Sequence, residues 1–419
     1  MRVLFLTVYF PPETGAPQAR TYETARLFLE WGHEVTVLTA FPNHPTGVIS
    51  PEYRGKLYLR EEMDGIDVRR SWVYAAPNRG LWRWAAKHLS FAGTAAIAAP
   101  FAGKFDVVVV NSSALFLGLT AYSIGLLRRV PWVLTVTDLW PATAVAQGQV
   151  SNGPLVRLTQ GLAGFVYSRA DALVGVTHGI CDALVEGGVP ESKVTYIPNG
   201  TDTELFSPDV DGTAARARLG VDDKFVAMYA GTHGPAQGLD VVLDAAKLLG
   251  GDAGVRFVLV GSGVEKPRLM AKAVREGIDN VTFADPVSRA EVPAMLNAAD
   301  VVLVTLTKQP LFEGALPSKT SEALACGRPV VMTVPGEAAR LLEDAGAGIA
   351  VEPEQPAALA EAISRLKGDP DLAAQMGANG RAFAVDQLER TKLARRLEAL
   401  LLDLAGSKSR TPTGAASRA

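Results

Sequence analysis

Lys319 and Glu322 stand in LPSKTSEALACGRPVV, where Pro317 and Ser318 precede a helix start. Gly327-Arg328-Pro329 ends that helix before the apolar run Val330–Val334. The first turn of a helix presents unpaired N–H groups and the positive end of its dipole, so it attracts anions. A lysine there suits a diphosphate, with Ser318 and Thr320 beside it. A carboxylate one turn on, Glu322, can accept hydrogen bonds from neighbouring hydroxyls. A diphosphate next to a sugar diol is a nucleotide-sugar. A capped surface helix with a solvated Lys and Glu fits the same residues.

Other candidates follow apolar runs. Ala230-Gly231-Thr232-His233-Gly234 comes directly after FVAMY. Its small residues permit close approach of backbone to phosphate, and Thr232 and His233 add donors. Val260-Gly261-Ser262-Gly263 repeats the arrangement, as a nucleobase border or an ordinary tight turn. Gly15 and Ala16 close YFPPETGA after the first apolar run, where a rigid proline turn without ligand is the alternative. Asp138 ends a strand in VTDLWPA, as a polar group for a ligand or a helix cap. His44 and His178 lack partners at a defined spacing and read as structural. No strand is followed by an intact G-x-G-x-x-G, which disfavours a nicotinamide or flavin enzyme of the usual kind. No acidic pair of the D-x-D kind ends a strand, so neither a metal nor another cofactor is expected.

The elements that must hold these residues alternate apolar runs with amphipathic stretches. Val3–Val8, Glu34–Leu38, Val68–Val73, Asp106–Val110, Trp132–Val136, Leu173–Val176 and Val194–Ile197 read as one set of strands. After a loop around Pro198–Pro208 come Phe225–Tyr229, Arg256–Val260, Val281–Phe283, Val301–Thr305, Val330–Val334 and Gly348–Val351. Strands alternating with helices predict α/β architecture, here two doubly wound, Rossmann-like parallel sheets. Residues 1–200 form the first domain of this reading and 201–384 the second. Leucines 388, 393, 397, 400, 401 and 404 predict an amphipathic helix over 385–405, long enough to cross the domain junction. Residues 406–419 lack hydrophobic side chains and are expected to be disordered.

The 419 residues carry a formal net charge of only −3, so no global basic field exists to attract nucleic acid. The two cysteines, Cys181 and Cys326, are far apart in sequence, consistent with a reduced cytosolic protein. Val3–Val8 leads straight into YFPPETG and reads as a strand rather than a leader. Leu89–Gly103 and Ser112–Leu127 are apolar but fall short of the roughly 20 residues a spanning helix needs. RGLWRWAAKHLSFAG sets Arg79, Arg83 and Lys87 on one helical face, with Trp82 and Trp84 elsewhere on the helix. A helix lying on an anionic bilayer has that composition, and so does a solvated face over a buried one.

Together, PPETGAP, VTDLWP, VTYIPNGTDTELF, YAGTHGPAQGLD, FVLVGSG and LPSKTSEALACGRPVV resemble retaining glycosyltransferases of family 4, in that family's order. The resemblance implies the GT-B fold, two domains facing across a cleft. It implies transfer of a hexose, N-acetylated or deoxy-amino, from a UDP-linked donor. The acceptor would be a glycan or a lipid-linked saccharide of capsule, O-antigen or colanic-type exopolysaccharide. By the same resemblance Glu322 matches the glutamate that holds the ribose. Lys319 and the Gly231–Gly234 loop meet the diphosphate, and Gly15 lies near the reacting sugar. Three departures stand out. The first glutamate of the family's E-x7-E motif falls on Gly314, with Glu313 one place earlier. Thr137 stands where many relatives have histidine. Thr232 and Gln237 replace the basic residues of the phosphate loop, leaving Lys319 as the main cation. Glu313, Asp138 and Lys319 are the expected catalytic residues. A sugar-nucleotide epimerase of the same fold and a non-catalytic sugar-nucleotide binder remain as alternatives.

Overall fold

Two predominantly parallel sheets with helices on both faces make up the protein in the computed structural model. The structure describes residues 1–13, 15–44, 46–76, 81–112, 115–139 and 153–409. The chain divides into two units, Met1–Pro198 together with the residues from Leu393 onward, and Asn199–Lys392.

The first unit holds β1 (Arg2–Thr7), β2 (Glu34–Ala40), β3 (Tyr58–Met63), β4 (Ile66–Ser71), β5 (Val107–Ser112), β6 (Trp132–Val136), β7 (Ala172–Gly175) and β8 (Val194–Tyr196). Their order is β3-β4-β2-β1-β5-β6-β7-β8. All neighbours are parallel except β3 and β4, a hairpin that the sequence reading misses. Its turn is Asp64-Gly65, both at positive φ, the dipeptide that favours two-residue hairpins. The charged strand YLREEM lies at the sheet edge with no residue fully buried, so it lacks the apolar run that marks the others. One face of the sheet is covered by helices Leu81–Ala98, Phe116–Arg128, Pro154–Arg169 and His178–Glu186 around Phe91, Leu117, Ile124 and Val166. The other face packs Phe5, Phe10, Phe28 and Val109 with Leu393 and Leu401 of the last helix.

The second unit holds β9 (Phe225–Ala230), β10 (Val255–Val260), β11 (Val281–Ala284), β12 (Val301–Thr305), β13 (Val330–Thr333) and β14 (Gly348–Ala350), in the order β11-β10-β9-β12-β13-β14. Every described pairing in it is parallel. Near-continuous apolar strands such as FVAMYA and VVLVT are what a sheet buried on both faces requires. Burial pushes the Cys326 thiol up to about 12, so it is an inert core thiol; neither cysteine is in a disulfide.

Two expectations are corrected at the carboxyl end. The predicted helix over 385–405 is two helices, Pro370–Gln387 and Arg390–Ser409. They break at Leu388-Glu389, where the Glu389 carboxylate caps the N–H groups of Thr391 and Lys392 at 2.9 and 2.7 Å. Residues 406–409, expected to be disordered, instead continue the helix to Ser409, and the Ser407 hydroxyl bonds the Leu404 carbonyl at 3.0 Å. Residues 410–419 lie outside the described residues.

Candidate nucleotide-sugar site

The second unit brings its candidate residues to the carboxyl ends of β9, β10 and β12, where doubly wound sheets bind ligands. The loop after β9 is sewn to the loop after β10: Gly231 N–H donates to the Val260 carbonyl at 2.9 Å and His233 N–H to Ser262 at 2.8 Å. Glu265 N–H returns a bond to the His233 carbonyl at 3.0 Å. On the other side, the Thr305 hydroxyl at the end of β12 holds the Gln237 carbonyl at 2.7 Å.

Lys319 lies in the first turn of helix Ser318–Ala325, whose amino end has Pro317 at the cap and no side-chain cap bond. Its Nζ donates to the Tyr229 hydroxyl at 2.8 Å and to Gln237 Oε1 at 3.1 Å. The ammonium also sits 4.0 Å from the centre of the Tyr229 ring. The residue as a whole is half-buried, but its charged end lies under the loop. Burial lowers its pKa to about 7, with Glu322 pulling the other way. Tyr229 is itself fully buried, and burial raises its phenol well above the ordinary value. Its one proton has two acceptors in reach, the Thr232 carbonyl at 2.7 Å and Gln237 Oε1 at 3.0 Å. Lys319, Tyr229, Gln237 and Gly231 therefore form one cluster, with Nζ 3.1 Å from where a Cβ on Gly231 would stand.

The remaining predicted donor residues surround that cluster unevenly. Thr232 and Gly231 are exposed at the loop tip, and Ser318 is half-buried. His233 is fully buried, and neither ring nitrogen has a hydrogen-bond partner. Burial, Lys266 and Lys319 lower its pKa, with the Val260 backbone opposing. Thr320 is buried with its hydroxyl unpartnered. Glu322 is ion-paired with Arg289 at 3.1 Å, and Arg289 in turn lies over the Phe206 ring at 5.3 Å. Glu313 is exposed in the 3-10 turn Pro310–Gly314, and its backbone packs against Gly336. Among the described residues no group of three His, Cys, Asp or Glu side chains could hold a metal ion.

In the first unit, Gly15 caps helix Ala16–Glu30 with φ of 152°. A Cβ there would stand 2.6 Å from Oε1 of the buried Gln18, an oxygen without a partner. Asp138 is exposed just beyond β6 and accepts from the Thr137 hydroxyl at 3.2 Å. The face Arg79–Arg83–Lys87 does not form as expected. Arg79 lies outside the described residues, and Trp82 and Arg83 are exposed, but Lys87 points inward and is buried. Its Nζ donates to the Tyr9 hydroxyl at 3.3 Å and lies 4.9 Å from the centre of that ring. Four-residue spacing gives a common face only to first approximation, and β1's carboxyl end draws this lysine in. Beside it, the buried Glu13 accepts N–H bonds from Asn43 and His44, each at 2.7 Å. Sequence reasoning missed Tyr229, Arg289 and Glu13 as site neighbours. A tyrosine ending a core strand directly before the glycine loop is the one available signal; nothing local marks Arg289.

A nucleotide-binding pair of Rossmann-like units with a lysine under a glycine loop defines a class, the GT-B transferases. Matches to known families agree: residues 15–200 match the glycosyl transferase 4-like domain and residues 212–383 the glycosyl transferases group 1 domain. The chain is 31% identical to D-inositol 3-phosphate glycosyltransferase 1 of Catenulispora acidiphila, over 85% of this chain and 84% of that one. It is 28% identical to WcaI of Escherichia coli K12, named for glycosyl transfer in colanic acid biosynthesis, over 87% and 91% of the two chains. Anabaena HepE in complex with UDP has the same fold, with a TM-score of 0.73 at 20% identity, covering 96% of this chain and 100% of that one. The chain belongs to this glycosyltransferase family and is an enzyme of the GT-B fold.

Proposed function

We propose that the protein transfers a hexose, N-acetylated or deoxy-amino, from a UDP-linked donor to a glycan or lipid-linked acceptor in cell-surface polysaccharide synthesis. The observation that carries this reading is Lys319, held by Tyr229 and Gln237 at the open end of helix Ser318–Ala325. Tyr229 and Gln237 are neutral, and among the described residues no carboxylate pairs with the ammonium directly, so an arriving diphosphate supplies that charge. WcaI's name and the UDP and UDP-glucose complexes of HepE support the pathway and the donor class. The relative named for D-inositol 3-phosphate supports an acceptor that carries phosphate.

In this mechanism Lys319, the helix dipole and the amides of the Gly231–Gly234 loop stabilise the leaving UDP. Preorganised charge of this kind is usually the largest catalytic term. Arg289 orients Glu322 for the ribose hydroxyls. Glu313 is assigned to the transferred sugar, and Asp138 to the acceptor hydroxyl. Configuration is retained by front-face attack, without a protein nucleophile and without a metal. The enzyme is assigned to the cytoplasm, in keeping with two cysteines outside any disulfide. Among the described residues no helix is long and apolar enough to cross a membrane.

The test is turnover of UDP-sugars by Lys319→Ala. A fall in kcat/KM of about 10²–10³ is expected, the size seen when one preorganised donor is removed. Unchanged turnover would refute the role of Lys319. A thermal-shift screen of UDP-, GDP- and TDP-sugars identifies the donor, because a ligand that binds only the native state raises its stability.

A further inference from the structure

Charge is distributed unevenly along this nearly neutral chain. From Val68 to Ala170 there are ten arginines and lysines but only two carboxylates, Asp106 and Asp138. Asp106 is ion-paired with Arg2 at 2.5 Å. The same stretch supplies three helices of the first unit, Leu81–Ala98, Phe116–Arg128 and Pro154–Arg169, and none of them carries an acidic residue.

The three lie side by side on one face of the sheet. The Thr120 hydroxyl bonds the Ala92 carbonyl at 2.9 Å, which ties the first to the second. The rings of Tyr122 and Phe165 meet edge-on at 5.4 Å, and Gly118 lies against Val166, which ties the second to the third. Their inner sides fill the core.

The outer side of the first helix is apolar where a surface helix in water is polar. On the first helix and the turn after it, Trp82, Leu89, Ile97 and Phe101 are each at least half exposed. Between Arg83 and Lys104 every exposed position is Ala, Leu, Gly, Ile, Pro or Phe, with no hydrogen-bonding side chain. Leu127 and Leu158 extend the apolar surface onto the other two helices. Exposed cations border it: Arg83 at one end, Lys104, Arg128 and Arg129 at the other, and Arg157 and Arg169 on the third helix.

We propose that this three-helix face seats the first unit on an anionic lipid bilayer. The 18 residues of the first helix span about 27 Å and would lie in the interface plane, apolar side chains inserted and cations on the headgroups. Lipid is favoured over an acidic protein because the exposed positions from Ala86 to Gly103 offer no hydrogen-bonding side chain to fix a register. The surface differs from a basic line through Lys87, which is buried, and it does not depend on which sugar is transferred.

Vesicle flotation of the full chain tests it. Phosphatidylcholine vesicles containing phosphatidylglycerol should bind the protein at low salt, at least about tenfold better than phosphatidylcholine alone. High salt should weaken that binding. Leu89→Glu with Ile97→Glu should lower it by about tenfold or more, and Arg128→Glu with Arg129→Glu comparably, while thermal melts stay close to the parent's. Val274→Glu, at an exposed apolar position of the second unit, should have no effect. Failure to bind anionic vesicles, or equal loss in Val274→Glu, overturns the proposal. So does lipid-free self-association that Leu89→Glu with Ile97→Glu abolishes, since the face would then join two copies of this chain. Failure of UDP-sugar turnover would leave this result standing, so the two readings are judged separately.

Discussion

A buried ammonium with no carboxylate within bonding distance among the described residues is an unsettled charge, and Lys319 is one. Burial takes its pKa to about 7, whereas an unfolded lysine holds its proton to about 10.4. Between those values the unfolded chain binds more protons, so stability rises with pH across that window and is lowest below pH 7, where the charged form is buried. A diphosphate reverses the preference by supplying the missing partner. Binding above pH 7 therefore takes up a proton, and UDP affinity should fall as pH rises from 7 toward 9. Calorimetry in two buffers of different ionisation enthalpy reads that proton directly; an affinity flat across the range contradicts the assignment. Lys319 itself was legible in the sequence, because a lysine just inside a helix start has a local signature. Its partner Gln237 was legible only as a departure from the family pattern. The structure gives the departure a reason: Gln237 Oε1 accepts from Lys319, where a second cation would repel it. Gln237→Lys should destabilise the second unit by about 1–3 kcal/mol in urea unfolding, through the lost bond and the like charge.

Elements position these residues through close backbone contact more than through side chains. The loops after β9 and β10 touch so tightly that a Cβ on Gly261, at φ of 139°, would stand 1.9 Å from the Gly231 carbonyl oxygen. Gly261→Ala should therefore push the phosphate loop aside, cost about 2–4 kcal/mol and remove the thermal shift given by UDP. A variant that keeps that shift would show that the loop tolerates displacement. The strands that carry these loops were legible because buried parallel strands are long apolar runs. The β3–β4 hairpin was not, since its outer strand is charged and only Asp64-Gly65 announces it. The break at Leu388-Glu389 was also hidden, because the leucine pattern continues through it and the residue that caps the second helix is a glutamate. Lys87 shows the same limit, because helical spacing places a residue on a face without saying what that face meets.

At the scale of the molecule, the first unit is made from two distant pieces of chain. From Leu393 the backbone returns to it, burying Leu393, Ala394 and Leu401 against Phe28 and Val35. His33 Nε2 meets Glu398 Oε1 at 2.6 Å, and the Arg395 guanidinium stacks 3.5 Å from the centre of the Trp31 ring. Burial pushes the Glu398 carboxyl up, but Arg395 and His33 outweigh it and hold it below the ordinary value. Leu401→Ala should cost about 2–5 kcal/mol, typical of a leucine lost from a core. Ending the chain after Lys392 should raise amide exchange in helix Ala16–Glu30 more than in β9 or β12; equal exchange would mean that the returning helix is dispensable. The leucines made an amphipathic helix legible, but no pattern in them says which unit they serve. On the ribosome this threading imposes an order. Residues 199–392 are synthesised before the segment that covers Phe28 and Val35, so the second unit has all its strands while the first still waits with an apolar groove open. The half encoded first is the half completed last, and that interval is when a chaperone would have something to hold.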